Sequence, residues 1–257
     1  MNRINEVFLK KKKRVLNIYF TAGYPKIDDT LRIARALEAA GVDIIEIGIP
    51  YSDPIADGPT IQDSSQNALD AGMSLKLLMR QLQDLRKYVN IPVILMGYIN
   101  PVLQYGFTEF CQNCKKVGID GVILPDLPMQ EYIEIYQQTF EKYGIYNIFL
   151  ITPQTSKQRV LQINEASKGF IYMVSSASIT GAKQEISQEQ IDYFECIQKM
   201  NLSVERLIGF GISNKETFDN ACQYASGAII GSAFINQLKK NNSDEAISSF
   251  VGSIINP

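Results

Sequence analysis

The chain has 257 residues, of which 46% are hydrophobic, and a formal charge of -2. That length and apolar content can build one large core, and an isoelectric point of about 5.4 does not predict the clustered basic surface of a nucleic-acid binder. Four cysteines are too few for a disulfide scaffold and fit a reducing cytosol, while the absence of histidine excludes Ser-His-Asp chemistry and His-ligated metal sites and leaves carboxylates, Lys, Tyr or Cys as acids and bases.

In chain order, the first residues, Met1 to Leu9, precede the charged run Lys10 to Arg14. A signal peptide has its charges before the apolar core, and no apolar run reaches the roughly 18 residues of a membrane span. A soluble cytoplasmic protein with no membrane contact is expected. Short apolar runs then alternate with amphipathic stretches. Strands are predicted at Val15 to Ala22, Val42 to Ile49, Ile91 to Met96, Gly121 to Leu124, Tyr146 to Ile151, Gly169 to Val174, Arg206 to Phe210 and Gly227 to Ile230. Helices are predicted at Asp28 to Ala40, Ser74 to Tyr88, Phe107 to Lys116, Met129 to Tyr143, Ser156 to Ala166, Gln188 to Met200, Asn214 to Tyr224, Ala233 to Lys239 and Asp244 to Ile254. Leu75, Leu78, Leu82 and Leu85 make one stripe, with Ser74 as N-cap.

Eight strand-then-helix units predict a closed (β/α)8 TIM barrel, a single domain over 1–257 with an extra N-terminal helix. The rival, an open doubly wound sheet, carries a Gly-rich fingerprint after its first strand; here that turn reads Thr21-Ala22-Gly23-Tyr24-Pro25. The connections after strands two and six are long. The former runs from Pro50 to Ser74, with a short helix expected between Ile61 and Asp70, and long loops in compact domains are often functional. In a barrel the loops that follow the strands build the active site.

Strand two reads Val42-Asp43-Ile44-Ile45-Glu46-Ile47-Gly48-Ile49. Side chains alternate between interior and helix layer, so Ile45, Ile47 and Ile49 go under helices and Ile44, Glu46 and Gly48 face inward. A buried carboxylate without a partner shifts its pKa upward, and perturbed acids cluster at functional sites. The competing reading is a structural Glu paired with a cation from another strand, but Arg206, at a strand start, is no obvious partner. The loop after strand two carries Asp53 and Asp57 among three prolines; spacing alone does not separate them, and either could be a turn residue.

Strand seven ends Gly209-Phe210-Gly211-Ile212-Ser213, with Ser213 placed to cap a helix, and strand eight ends Gly231-Ser232-Ala233, opening another. The loop after strand six adds Thr180-Gly181. Glycines admit close backbone approach and helix N-termini supply free N–H groups. Their positions in the order match the frequent phosphate site of these barrels, which predicts a phosphorylated small substrate.

The run Glu46-Ile47-Gly48-Ile49-Pro50-Tyr51-Ser52-Asp53-Pro54-Ile55-Ala56-Asp57-Gly58-Pro59-Thr60-Ile61-Gln62 closely resembles the signature of the tryptophan synthase alpha subunit family. Thr21 to Pro25, Met96 to Pro101, Pro125 to Pro128, Tyr172 to Gly181, Gly209 to Ser213 and Gly231-Ser232 extend the resemblance over nearly the whole chain, in the family's order. It implies retro-aldol cleavage of indole-3-glycerol phosphate to indole and glyceraldehyde 3-phosphate. It implies Glu46 as acid/base and Asp57 as the partner of the indole N–H. Tyr172 would lie beside the glycerol chain, Tyr19, Met96 and Tyr98 would line the indole pocket, and Gly181, Phe210, Gly211, Gly231 and Ser232 would hold the phosphate. Thr180 would lie on a loop, roughly Ser176 to Gln190, that closes over substrate. The resemblance further implies an αββα complex in which indole passes to a beta subunit, with pyridoxal phosphate in that partner and no cofactor or metal in this chain. Ser178, Gly97 and Tyr51 depart from the family's pattern.

Two alternatives stand beside this reading: an alpha subunit that mainly activates its beta partner, and another phosphate-binding barrel such as an isomerase or decarboxylase. Cys111-Gln112-Asn113-Cys114 falls within a predicted helix with no second pair, so zinc or redox chemistry is not expected there.

Overall fold

The apolar runs of this chain need cover on both faces, which a parallel sheet wrapped by helices provides. The computed structural model describes residues 1–175, 187–209 and 211–256. It places the runs in strands β1 (Val15–Thr21), β2 (Ile44–Gly48), β3 (Val93–Met96), β4 (Gly121–Ile123), β5 (Tyr146–Asn147), β6 (Leu150–Ile151), β7 (Phe170–Val174), β8 (Glu205–Gly209) and β9 (Gly227–Ile230). All pairings are parallel, in the order β5-β4-β3-β2-β1-β9-β8-β7-β6.

The two ends of that order, β5 and β6, are halves of the predicted fifth strand. The Ile148 N–H donates to Val122 O on one side and the Tyr172 N–H to Phe149 O on the other. Side-chain alternation runs unbroken through the junction, Ile148 joining the inner cluster and Phe149 the outer one. One stave thus changes hydrogen-bonding neighbour midway, and the ring has eight staves, as expected of a (β/α)8 barrel.

The inside and outside of the ring are separate cores. Val15, Ile44, Ile94, Ile123, Phe170, Val174, Leu207 and Ile229 pack in the barrel interior. Leu16, Ile18, Phe20, Ile45, Ile47 and Ile49 pack under the helices. The split follows strand parity, as the two-residue period demands. The N-terminal helix Arg3–Lys10 sends Ile4 and Phe8 into the inner cluster.

Most predicted helices are present within a residue or two. Pro59–Asp70 starts earlier than expected, with Pro59 in its first turn, where a missing N–H costs nothing. Three departures are local. The helix after Ser74, capped by the Ser74 hydroxyl, is interrupted by a 3-10 turn at Leu82–Asp84. A π segment, Tyr132–Tyr136, divides the helical stretch after β4. A helix at Ile99–Tyr105 follows β3, where none was predicted. The side chain that caps Lys215–Tyr224 belongs to Asn214, not Ser213: Asn214 accepts from the Thr217 N–H, while Ser213 only donates its own N–H to Thr217 Oγ1. No helix among the described residues is long and apolar enough to cross a membrane.

Candidate active site

β2 carries Glu46 to the inner face near the C-terminal end of the barrel, where it is fully buried. No cation meets it. Its one hydrogen bond among the described residues comes from Asn17 on β1, whose Nδ2 donates to Oε1 at 2.5 Å; Oε2 has no partner there. Burial pushes the carboxyl up to about 8, and the Asn17 bond, which favours the charged form, opposes that rise. Arg206, the only cation raised as a structural partner, donates instead to Val204 O at the start of β8.

The structure separates the two loop acids. Asp53 is exposed and accepts from the Ser52 hydroxyl at 2.6 Å. Asp57 is half-buried and accepts from the Tyr98 hydroxyl at 3.1 Å, and that hydroxyl accepts from the Ala56 N–H at 3.0 Å. Burial raises the Asp57 carboxyl to about 6, with the Tyr98 bond holding it lower than burial alone would. The loop is braced locally: the Asp57 N–H donates to Pro54 O, and Gln62 Nε2 to Asp57 O.

A narrow cleft opens at this end, walled by Tyr19, Tyr51, Asp57, Met96 and Tyr98, with Ile49, Ser65 and Pro125 among its other walls. Three of the expected indole-pocket residues and Asp57 therefore share one cavity. Glu46 is not on its wall. Tyr19 is, and Tyr19 pairs with Glu46 in the β1–β2 register. Tyr19 lies against Gly48: a Cβ there would collide with its hydroxyl. Tyr172 stands in the barrel interior on β7, its hydroxyl against Gly209 in the same way. Burial raises both phenols above their ordinary range, so both stay neutral. Tyr51, which packs on Tyr98 with ring centroids 5.1 Å apart, and Ser65 join the wall without having been singled out for the pocket. Asn17 was missed as well, although a polar residue at an inward position of an apolar strand was a readable signal.

At the other side of the mouth, Gly231 is the N-cap of Ser232–Lys240, a helix without a side-chain cap. Its first N–H groups have no intrahelical acceptor. Gly231 abuts Tyr19, where an added Cβ would sit 3.5 Å from the ring. Gly211 has φ +77°, a backbone that glycine adopts readily. Thr180, Gly181 and Phe210, also expected at the substrate, lie outside the described residues, as does Ser178.

A parallel barrel whose mouth gathers two acids of raised proton affinity and an uncapped helix N-terminus belongs to the (β/α)8 enzymes that work by acid–base chemistry. A family model, tryptophan synthase alpha chain, matches residues 6–251. The chain is 56% identical over 254 residues to a tryptophan synthase alpha chain from Flavobacterium psychrophilum, covering 99% of this chain and 100% of that one. It is 52% identical to one from Phocaeicola vulgatus, covering 95% of each. Its fold is similar to that of tryptophan synthase subunit alpha from Legionella pneumophila, with a TM-score of 0.88, 32% identity and 99% and 97% of the two chains covered. A chain of M. tuberculosis tryptophan synthase gives a TM-score of 0.86 at 28% identity, with 99% and 98% covered. The chain belongs to the tryptophan synthase alpha chain family, which cleaves indole-3-glycerol phosphate.

Proposed function

We propose that this chain cleaves indole-3-glycerol phosphate with Glu46 as acid and base and Asp57 as the electrostatic partner of the indole nitrogen. The observation that carries the reading is the unequal environment of the two carboxyls: Glu46 is held near 8 and Asp57 near 6. Near neutral pH one is protonated and the other charged, which is the division of labour the reaction needs. Glu46 delivers its proton to indole C3. Positive charge develops on the ring nitrogen, and the Asp57 carboxylate stabilises it. The Glu46 carboxylate then takes the proton of the adjacent side-chain hydroxyl. The C–C bond breaks, its electrons return to the ring, and indole and an aldehyde result.

Tyr19, Met96 and Tyr98 would hold the ring, with Tyr172 beside the glycerol chain. Gly211, Gly231 and Ser232 would hold the phosphate with Gly181 and Phe210, the helix that opens at Ser232 offering unpaired N–H groups and its positive end. Thr180 would close over the bound substrate.

The product would pass to a beta subunit in an αββα complex, and pyridoxal phosphate would reside in that partner. Supporting a partner at the mouth, Ile55, Leu103, Ile133 and Ile135 are exposed on the connections after β2, β3 and β4. Asn100 bonds the Tyr51 hydroxyl and Asp126 accepts the Ile99 N–H, so these connections are tied to one another. The chain would work in the cytoplasm.

Indole release from indole-3-glycerol phosphate, measured with and without a beta subunit, tests the reading. Glu46→Gln should lower kcat by about 10²-fold or more with substrate binding retained. Asp57→Asn should also cost about 10²-fold, and Asp53→Asn much less. A wild-type rate for Glu46→Gln would refute the assignment.

A further inference from the structure

Asn17 occupies a position that apolar packing alone does not explain. It lies midway along β1, fully buried, on the inward face that it shares with Val15. Its register partner is Ile44, two residues before Glu46 on the same inner face of β2. A leucine has nearly the same shape and would fit the apolar surroundings without polar atoms to satisfy. The amide instead spends one Nδ2 hydrogen on Glu46 Oε1 and leaves its own Oδ1 without a partner among the described residues. A buried polar atom left unpaired costs stability, so the arrangement needs a return elsewhere.

We infer that Asn17 is a positioning residue for Glu46: its amide occupies Oε1, fixes the carboxyl plane, and leaves Oε2 as the oxygen that gives and takes the substrate proton. The inference rests on the proposed acid–base role of Glu46. A carboxyl with two free oxygens can carry its proton on either and can rotate. One oxygen held by a buried donor removes both freedoms, the kind of alignment on which proton transfer depends. The same bond favours the carboxylate that must form once C3 has been protonated, and so offsets part of the burial that favours the acid.

The groups facing Glu46 leave this role to Asn17. β3 contributes only the apolar Ile94 and Met96 to the interior. Tyr19 from β1 and Tyr172 from β7 are phenols held neutral by burial, and the one influence on Glu46 that favours its anion is the Asn17 bond.

Asn17→Leu tests the assignment by keeping shape and removing the donor. It should fold, with thermal stability close to wild type, because it removes the unpaired Asn17 Oδ1 while leaving Glu46 Oε1 without its donor. The rate constant kcat should fall about tenfold or more with KM changed less than about twofold. The alkaline limb of the kcat profile should move to higher pH, since the bond that favours the anion is gone. Infrared difference spectra of the free protein against Glu46→Gln give a readout independent of turnover: the protonated-carboxyl band should persist to higher pH in Asn17→Leu. In Asn17→Asp, also isosteric, a second negative charge should move the band further up, so the test survives if the leucine variant does not fold. Wild-type kcat and an unmoved band in either variant would overturn the inference. If Glu46→Gln is inactive while Asn17→Leu matches wild type, only the positioning role fails; if Glu46→Gln is active, the acid–base reading fails with it.

Discussion

Glu46 and Asp57 are two carboxyls raised by the same cause, burial, to different degrees, and the difference sets a pH window. The reaction as proposed needs Glu46 protonated and Asp57 ionised. Rate should therefore fall as pH drops through about 6, where Asp57 gains its proton, and as pH rises through about 8, where Glu46 loses its own. A bell-shaped kcat/KM profile of the free enzyme with limbs near those values is the expected outcome, and a flat profile from pH 5 to 9 would contradict it. The limbs belong to the coupled pair, but Asp57→Asn should remove the acid limb. Stability carries its own signature. Glu46 binds its proton in the folded state across the range where the unfolded chain has already released it. Its contribution therefore declines from about pH 4.5 to about pH 8 and is level above that. Glu46→Gln should flatten the fall of Tm over that range and stabilise the protein most at the alkaline end, which melting curves across pH would show. Glu46 was legible in the sequence because a strand has period two and this chain offers no histidine. Asp57 was not separable from Asp53 by its residues, because an irregular loop has no period; its contact with Tyr98 spans 41 positions. Asn17 was legible by the same parity as Glu46 and was overlooked because β1 reads as one apolar run.

At the scale of elements, β1 and β2 build the inner wall by fitting a large side chain to a missing one. Tyr19 and Gly48 are two residues apart in parallel register and so on the same inner face, Tyr19 facing Glu46 and Thr21 facing Gly48. The Tyr19 phenol crosses that offset and rests on the Gly48 backbone. Gly48→Ala should push the phenol into the cleft, cost about 1–3 kcal/mol of stability, and lower kcat/KM by about tenfold. Adding Tyr19→Phe should recover part of the loss, because the hydroxyl is the atom in sharpest conflict, although the ring carbons remain close. A double-mutant cycle on kcat/KM reads that coupling, and strict additivity would count against the notch. The same scale shows where patterns mislead. The fifth stave reads as one continuous strand, and its side chains do alternate without a break. Its division between β5 and β6 comes from a change of hydrogen-bonding partner, from β4 to β7, which leaves no mark on the order of apolar residues. The helix Ile99–Tyr105 was missed because Pro101 and the following Gly106 read as breakers; Pro101 instead sits in the first turn, where proline is tolerated.

In the whole molecule, chemistry and stability occupy opposite ends of the barrel. The mouth holds the acids and the cleft, while the other end is closed by the helix Arg3–Lys10 and a charged clamp centred on Asp120. That carboxylate, almost fully buried, accepts from Arg3 at 3.0 Å, from Arg86 at 2.6 Å and from the Val93 N–H at 2.9 Å. Asn2 adds a bond to the Asp120 carbonyl, and Arg86 also donates to the carbonyls of Gly118, Val89 and Ile91. One residue thus ties the N-terminal helix, the segment before β3 and the segment before β4 to one another. Removing the carboxylate would leave Arg86 half-buried without its counter-charge and the Val93 N–H without an acceptor, a loss far larger than that of a surface pair. Asp120→Ala should destabilise the protein by about 3–5 kcal/mol in denaturant unfolding. Phe8 and Ile4 should lose protection in hydrogen exchange with it, because the clamp holds their helix against the barrel floor. At temperatures where the variant remains folded, kcat for indole release should stay within about twofold of wild type, since Glu46 and Asp57 stand at the opposite end. A loss of kcat that tracks the loss of stability point for point would show instead that the floor and the mouth form one cooperative unit.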